Sequence, residues 1–431
     1  MKTRVLTVIL VLFLLIYLTM PIVLATETTN GTCGENATWT LDSNGLLKIH
    51  GTGKIEDGGW NKEKINKVII DSGITNIGDS TFSKCYYITD VELPETIINI
   101  GNKSFSNCQA LKKIEIPNSV ENIGIGAFSM CLEIENIKLS SKIKKIDNNT
   151  FEGCQFNLKT ITIPEGVTTI GDYAFATCSN LETVNLPSSL EDIGQYAFFN
   201  CNALTQIELP DNLKNIGKSA FHWCYNLEKI EIPNNTINIE SSSFYECLNL
   251  REITIPNSVK KIGKAAFRGC SKLEKIILPA DLKSIENETF YDCKSLTEIV
   301  IPNKVKSIGS LAFYGCENLS QITIPSNVEE IGIKVFKNCS KVTVYTYREE
   351  IAKILKSDNI NYVLLSFLIG DVNKDDKISI EDAIEILKKI TGKITFTEEQ
   401  EKLADTNKNG KVSIEDAIQI LKKITGKITE F

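Results

Sequence analysis

The chain has 431 residues, 13 cysteines, two histidines and a formal net charge of −7 at pH 7. The charges are spread along the chain without a basic stripe, which argues against nucleic acid as a partner. The two histidines, His50 and His222, leave little room for imidazole-based acid–base catalysis or for histidine metal sites.

The first 25 residues are predicted to be a secretory signal peptide. Lys2 and Arg4 precede an apolar run from Val5 to Tyr17, and small residues at 23–25 suit cleavage. The alternative, a membrane anchor, needs a longer apolar run. No cysteine at the expected cleavage point could carry a lipid. We therefore expect a mature chain that starts near Thr26, is secreted and extracellular, and does not stay inserted in a membrane.

Residues 26–64 are predicted to form a cap at the N-terminal end of the structure that follows. The alternating segments TWTL and LLKIHGTG flank Asp42-Ser43-Asn44-Gly45, a turn sequence typical of a β-hairpin.

Residues 65–341 are predicted to form twelve repeats. Twelve cysteines recur at intervals of 23 residues, with one interval of 24: Cys85, Cys108, Cys131, Cys154, Cys178, Cys201, Cys224, Cys247, Cys270, Cys293, Cys316 and Cys339. A fixed period in this range indicates a solenoid. One repeat cannot bury its own apolar face, but stacked repeats share a continuous core.

Each repeat combines two short inward-facing segments with a corner that closes the coil. In the repeat Leu181–Ala203, Pro187 ends the first strand because it cannot donate to a ladder, and Gly194 is predicted to allow a tight turn. The inward positions are Leu181, Val184, Leu186, Leu190, Ile193, Ala197, Phe198 and Cys201. Three repeats carry an acid in place of the glycine, at Asp147, Glu240 and Glu286. We expect local differences there.

The repeated cysteines are predicted to stack as a column of buried, reduced thiols that act as small apolar residues. The alternative is a metal-binding or redox column. Metal sites favour clustered ligands such as Cys-x-x-Cys, which this chain lacks. Cys33 lies outside the column.

A second column follows the repeated phenylalanine. It contains Phe199, His222, Tyr245, Tyr291 and Tyr314, with Arg268 in line and Trp223 beside it. Such residues could grip a sugar or a peptide, or they could stabilise the stack by packing on one another. This column is the best candidate on the solenoid for a ligand surface.

Residues 342–367 are predicted to cap the C-terminal end, with a strand at 342–347, a helix at 348–356 and a strand at 362–367.

The repeat L-x-x-I-x-I-P-x-x-V-x-x-I-G-x-x-A-F-x-x-C, together with CGENATWTLDSNGLLKIHGTG near the N-terminus, resembles the BspA-like class of bacterial surface leucine-rich repeats. The resemblance runs from Thr32 to about Phe367. It implies a leucine-rich repeat solenoid of short parallel strands that offers a non-catalytic surface to a protein or glycan, as in some adhesins. It does not define the ligand.

Residues 368–431 contain one motif twice, an acidic twelve-residue loop followed by an amphipathic helix. Loop positions 1, 3, 5, 7, 9 and 12 offer oxygen ligands at the spacing that wraps a calcium ion, with position 7 using its backbone carbonyl. These positions are Asp371, Asn373, Asp375, Lys377, Ser379 and Asp382 in the first loop, and Asp405, Asn407, Asn409, Lys411, Ser413 and Asp416 in the second. Two bound Ca²⁺ ions are therefore predicted.

A helix is predicted after each loop, over 380–391 and 414–425, and a short connecting helix from Thr397. Apolar residues recur at helical spacing at Ile384, Leu387 and Ile390, and at Ile418, Leu421 and Ile424. The loops lack the entering helix of an ordinary calcium hand. In this the segment resembles a type I dockerin, a small all-α module by which secreted proteins of cellulosome-forming bacteria bind a cohesin on a scaffold protein.

The dockerin resemblance implies that loop positions 10 and 11 and helix positions 17 and 18 contact the cohesin. They are Ile380, Glu381, Leu387 and Lys388 in the first copy, and Ile414, Glu415, Leu421 and Lys422 in the second. Many dockerins carry small residues such as Ser-Thr at positions 10 and 11, so Ile-Glu leaves the choice of cohesin open. The two copies are identical at these positions, which predicts two symmetry-related binding modes.

Together these features predict that the protein is a secreted, non-enzymatic subunit. It is expected to dock to a cohesin in a calcium-dependent manner, in a complex associated with the bacterial cell surface. No stretch is left over for a catalytic module. Two alternatives stay open: a free or cell-surface adhesin with a calcium-stabilised tail, and an inhibitor or accessory subunit of a polysaccharide-degrading complex.

Overall fold

The computed structural model describes residues 28–375 and 377–431. The predicted signal peptide at 1–25 lies outside these residues. The described chain is a solenoid of parallel strands followed by a small helical region, which confirms the predicted fold class.

The solenoid contains two ladders of parallel strands, called the first and the second ladder. The antiparallel N-terminal cap leads into both. It consists of β1 (Thr29–Gly34), β2 (Asn36–Leu41) and β3 (Leu46–Ile55). The hairpin between β2 and β3 turns at residues 42–45, as predicted. The start of β3 pairs with β4 (Lys67–Ile70), and its end pairs with β5 (Ile74–Ile77). One strand therefore begins both ladders.

Each repeat contributes one short strand to the second ladder, and each except the repeat at 296–318 contributes one to the first; in that repeat Glu298 forms an isolated bridge with Lys275. The first ladder continues through β6 (Asp90–Glu92), β8 (Lys113–Glu115), β10 (Asn136–Lys138), β12 (Thr160–Thr162), β14 (Thr183–Asn185), β16 (Gln206–Ile207), β18 (Lys229–Ile230), β20 (Glu252–Thr254), β22 (Lys275–Ile277) and β25 (Gln321–Ile324). The second continues through β7 (Asn99–Ile100), β9 (Asn122–Ile123), β11 (Lys145–Ile146), β13 (Thr169–Ile170), β15 (Asp192–Ile193), β17 (Asn215–Ile216), β19 (Asn238–Ile239), β21 (Lys261–Ile262), β23 (Ser284–Ile285), β24 (Ser307–Ile308) and β26 (Glu330–Ile331). Equivalent residues of neighbouring repeats face each other, as Ile193 faces Ile216.

The core of the solenoid is a stack of phenylalanine rings. Twelve side chains from Phe82 to Phe336 are fully buried, and neighbouring ring centroids lie 5.2–5.9 Å apart. Trp60 of the cap continues the stack onto Phe82 at 5.3 Å. Stacked aromatic pairs add to the free energy gained by burying their apolar area.

The cysteine column lies beside this stack and is made of buried thiols, as predicted. From Cys108 to Cys339, each thiol donates a hydrogen bond to the carbonyl of a phenylalanine in the preceding repeat, over 3.0–3.4 Å. Burial raises the pKa of Cys85 and of Cys224 to about 12, from an ordinary value of 9.0. These two thiols are therefore neutral at physiological pH.

The repeated glycine does not serve as the tight-turn residue that the sequence suggested. Gly194 is not among the residues with positive φ, and the left-handed positions of its repeat are Tyr196 and Asn200, at φ 56° and 58°. A Cβ on Gly194 would instead lie 2.7 Å from the backbone nitrogen of Asp172 in the preceding repeat. The glycine is needed because two stacked backbones approach closely.

The acidic residues that replace this glycine interrupt the second ladder at two places. The ladder breaks between β9 and β11, where Asp147 follows β11, and between β21 and β23, where Glu286 follows β23. A Cβ at this position points into the backbone of the preceding repeat. The third case differs, because β19 stays paired with β17 although Glu240 follows it.

The C-terminal cap continues the first ladder. It consists of β27 (Thr343–Thr346), α1 (Glu349–Ser357) and β28 (Asn361–Leu364), and both strands run parallel to β25. The last strand ends earlier than predicted. Arg348 donates from Nη1 to the carbonyl of Val328 at 3.3 Å, which holds the cap against the last repeat.

The region after the solenoid contains α2 (Ile380–Ile390), α3 (Glu398–Ala404) and α4 (Ile414–Ile424). Each begins with a capping box, in which Ser379, Thr397 and Ser413 bond to the first turn. Its separate core consists of Val372, Ala383, Ile386, Ala404, Ala417 and Ile420. No helix of the described residues is long and apolar enough to cross a membrane.

Candidate functional site

The first loop is organised by the carboxylate at its last position. Asp382 is fully buried, and its Oδ1 accepts hydrogen bonds from the backbone nitrogens of Val372 at 2.8 Å and Asn373 at 3.1 Å. Its Oδ2 accepts from the backbone nitrogen of Ser379 at 2.8 Å. One side chain therefore fixes both ends of the loop.

The other side-chain oxygens of this loop accept hydrogen bonds from backbone nitrogens of the same loop. The backbone nitrogen of Asp375 donates to Oδ1 of Asp371 and to Oδ1 of Asn373, both at 3.0 Å. The backbone nitrogen of Lys377 donates to Oδ1 of Asp375 at 3.0 Å. Because two oxygens share one donor, positions 1 and 3 lie close together.

The second loop repeats this pattern. The backbone nitrogen of Asn409 donates to Oδ1 of Asp405 at 3.0 Å and to Oδ1 of Asn407 at 3.1 Å. Asp416 is fully buried and accepts from the backbone nitrogens of Asn407 at 3.2 Å and Ser413 at 2.9 Å. The hydrogen bonds at positions 1, 3, 5, 9 and 12 therefore correspond between the two loops.

The donor chemistry of both loops fits calcium. Carboxylate, amide, hydroxyl and carbonyl oxygens are hard ligands, and calcium accepts six to eight of them in a flexible arrangement. Among residues 28–375 and 377–431, no three His, Cys, Asp or Glu side chains are close enough to hold a metal ion. The amide oxygens of Asn373, Asn407 and Asn409 would add to the carboxylate ligands of the two loops.

The two long helices of this region expose equivalent apolar faces. Ile380 is 59% exposed and Ile414 is 58% exposed, while Leu387 and Leu421 are 40% and 39% exposed. Their charged neighbours are exposed as well, at Glu381, Lys388, Glu415 and Lys422. All eight residues predicted to contact a cohesin are thus accessible, in two matching groups.

The apolar residues at helical spacing lie on this exposed face and not in the core. Ile384 and Ile418 are both 42% exposed, and Ile390 and Ile424 are exposed too. The helices pack through Ala383, Ile386, Ala417 and Ile420 instead. Each helix therefore has two apolar faces, of which one remains available to a partner.

The aromatic column of the solenoid is continuous and its rings cover one another. Ring centroids are 4.3 Å apart for His222 and Tyr245, and 4.6 Å for Tyr291 and Tyr314. The Arg268 guanidinium lies 3.9 Å from the Tyr291 ring centroid and bridges the two pairs. Phe199 contacts both His222 and Trp223, at 5.4 and 5.1 Å.

The column is longer than the sequence suggested. Tyr173 stacks on Tyr196 at 4.8 Å, and Tyr196 contacts Phe199 at 5.6 Å. Both tyrosines lie two residues before the repeated phenylalanine, so they were missed by following one repeat position. Burial lowers the pKa of His222 to about 4, and its ring is therefore neutral at physiological pH.

The outer face of the first ladder has a feature that the repeat pattern did not single out. Polar side chains in adjacent repeats, including Thr183, Asn185 and Gln206, line a groove of about 650 Å³. Further along, Ile277 and Val300 replace polar residues, and Val300 is 82% exposed. Two adjacent repeats thus carry an exposed apolar residue at this outward strand position, before Thr323 restores a polar one.

Comparison with known families accounts for most of the chain. Six copies of the family described as the BspA type leucine rich repeat region match residues 53–178, 155–274 and 262–367. The chain belongs to the BspA type leucine-rich repeat family. The resemblance predicted from the repeat is therefore confirmed, and the repeats of this family are binding modules.

The C-terminal part of this leucine-rich repeat protein matches a second family. Residues 369–425 match the dockerin type I domain, which confirms the second predicted resemblance. A dockerin implies a cohesin partner in complexes of the cellulosome type, and domains of this kind bind calcium. Proteins built from these two modules are typically extracellular or associated with the cell surface.

Solved structures similar to this protein include bacterial leucine-rich repeat proteins. One from Bacteroides ovatus is 27% identical, with a TM-score of 0.66, over 80% of this chain and 100% of that one. A leucine-rich cell surface protein from Faecalibacterium prausnitzii is 29% identical, with a TM-score of 0.48, over 75% and 97%. No curated protein sequence matches the chain.

Proposed function

We propose that this protein is a secreted, non-catalytic binding subunit whose dockerin docks to a cohesin when two calcium ions occupy its loops. The observation that supports this most directly is the pair of equally exposed faces on α2 and α4. A surface of this kind, apolar in the middle with Glu and Lys at its edge, suits a protein partner. The two faces match, which supports docking by either copy.

Calcium has a structural part in this proposal. The proposed ligands are the residues at loop positions 1, 3, 5, 7, 9 and 12 of each loop. The first loop runs from Asp371 to Asp382 and the second from Asp405 to Asp416. Each loop leads directly into the helix that carries the contact residues, and its last ligand lies in the first helical turn. An ion in the loop would therefore fix the start of the helix and the position of Ile380 or Ile414.

The solenoid would present a surface for a protein or a glycan within the assembly. The strand-face groove and the aromatic column are the two proposed surfaces. In the column, Tyr245, Tyr291 and Tyr314 have their faces against neighbouring side chains, so a ligand would meet ring edges and hydroxyls more than open ring faces. This favours the stabilising role for the column and leaves the groove as the more accessible surface.

The docking proposal is tested by cohesin binding in the full chain. One variant replaces Ile380, Glu381, Leu387 and Lys388 by Ala, a second replaces Ile414, Glu415, Leu421 and Lys422, and a third replaces all eight. A panel of cohesins is assayed by pull-down and calorimetry, with calcium and with a chelator. We expect the cohesin affinity of each single-copy variant to stay within about two-fold of the parent, since only a statistical factor is lost. The variant with all eight replacements should not bind.

Two results would contradict parts of this proposal. Loss of cohesin binding in one single-copy variant alone would rule out two equivalent modes. A protein that binds calcium but none of the cohesins would favour the adhesin alternative, in which the tail only caps the solenoid. Contacts between the first loop and the last repeats give that alternative a structural basis.

A further inference from the structure

The first calcium loop is hydrogen-bonded to the solenoid, whereas within the described residues no such hydrogen bond reaches the second loop. Ser326 donates from Oγ to the carbonyl of Lys374 at 2.9 Å, and Asn303 donates from Nδ2 to the carbonyl of Asp375 at 3.3 Å. Lys374 and Asp375 are loop positions 4 and 5. The corresponding lysine of the second loop, Lys408, bonds to the carbonyl of Phe431 within the dockerin.

The two solenoid residues occupy the same place in neighbouring repeats, directly after the proline that ends the strand. At this position in two other repeats, the side chain forms a hydrogen bond to the following repeat of the solenoid. Asn118 accepts from the backbone nitrogen of Ser141 at 3.3 Å, and Asn257 accepts from that of Ala280 at 2.9 Å. Asn303 and Ser326 depart from this arrangement by donating outward to the calcium loop.

A second set of contacts joins the same loop to the C-terminal cap. Tyr347 stacks on Phe367 with centroids 4.4 Å apart, and the Lys374 ammonium lies 5.0 Å from the Phe367 centroid. Lys374 also forms an ion pair with Glu399 of α3. Contacts therefore run without interruption from the cap through the first loop into the dockerin.

We propose that the post-proline positions of the last repeats form a docking surface for the first calcium loop, so that calcium binding in this loop and attachment of the dockerin to the solenoid favour each other. The hydrogen bonds hold the carbonyls of positions 4 and 5, and position 5 also carries the ligand Asp375. Fixing this backbone reduces the entropy lost when the loop closes on an ion. By linkage, the ion stabilises the attachment by the same factor.

The coupling distinguishes the two copies although their sequences match at the contact positions. The second loop binds calcium without help from the solenoid. The first loop holds the dockerin against the solenoid, and by linkage this attachment weakens by the same factor when calcium is removed. The outward faces of α2 and α4 stay free in the attached state, so attachment sets how the solenoid is presented and does not block a cohesin.

The test uses the full chain with Asn303→Ala and Ser326→Ala together. The matched control is Asn118→Ala with Ser188→Ala, at the same repeat position far from the dockerin. Calcium is titrated by calorimetry in a background of Asp405→Ala, which disables the second loop and leaves one binding event. We expect the first loop to bind calcium about three- to ten-fold more weakly in the test variant and unchanged in the control.

A second readout follows the attachment itself. Chymotrypsin cleavage near Phe367 and Leu368 should be slow with calcium, and faster in the chelator or in the test variant. Equal calcium affinities in the test and control variants would overturn the coupling. This proposal rests on calcium binding by the two loops. If the loops do not bind calcium, the parent chain will bind none at all, and that result differs from equal affinities in the test and control variants.

Discussion

At the scale of single residues, the solenoid is held together by contacts that repeat once per turn. Phe198 is typical, because its ring stacks on the rings of the neighbouring repeats while its carbonyl accepts from two groups. These donors are the backbone nitrogen of Cys201 at 3.3 Å and the thiol of Cys224 at 3.1 Å. The thiol of one repeat thus fills the second acceptor site of the repeat before it.

Replacing one thiol of this column should therefore cost more than the loss of its volume. We expect Cys224→Ala to lower the free energy of unfolding by about 1–2 kcal/mol, from the small cavity and the lost hydrogen bond together. The measurement is urea unfolding followed by circular dichroism. Cys33→Ala is the control, since Cys33 is buried outside the column. An equal loss in both variants would mean that the thiol hydrogen bond contributes nothing.

At the scale of elements, the sequence predicted the repeat period and the C-terminal helices because these depend on spacing. It did not predict which face of a helix packs inward. In α2, Ala383 and Ile386 are buried while Ile384 and Leu387 are exposed, and all four are compatible with an apolar face. Small residues at a close helix–helix contact carry no periodic signal strong enough to separate the two faces.

Backbone conformation was equally hard to predict from residue types. Tyr196 and Asn200 adopt left-handed φ, although a tyrosine gives no indication of that conformation. The close approach at Gly194 depends on the neighbouring repeat and not on its own turn. Both features arise from the stacking of repeats, which overrides local preference.

The aromatic column is an element in its own right, and its role can be decided by stability. Tyr291→Ala removes the stack on Tyr314 and the surface on which the Arg268 guanidinium lies, so we expect a loss of about 1–3 kcal/mol in the free energy of unfolding. Tyr291→Phe should cost little, because the ring remains. Tyr87→Ala is the control, since Tyr87 is exposed outside the column. If Tyr291→Ala leaves stability unchanged but removes binding to a glycan or protein, the column is a ligand site.

At the scale of the whole molecule, the described residues form two hydrophobic cores of different size. The solenoid core runs without a break from Cys33 to Leu355, and the dockerin core is a separate cluster around Ile386 and Ile420. The large core needs no ion, since stacked repeats bury each other. The small core is built on two loops rich in carboxylates, which repel one another unless a cation is present.

This division predicts two thermal transitions with different responses to calcium. In differential scanning calorimetry of the full chain, the dockerin transition should fall by at least about 10 °C when calcium is removed by a chelator, since ions at 100 times their Kd contribute about 2.7 kcal/mol per site. The solenoid transition should move much less, because the contacts that join it to the first loop are few. Asp371→Ala combined with Asp405→Ala is the control, and its dockerin transition should no longer respond to calcium. A single transition that shifts as a whole with calcium would show instead that the two cores unfold as one unit, and the attachment through Asn303 and Ser326 would then be far stronger than two hydrogen bonds allow.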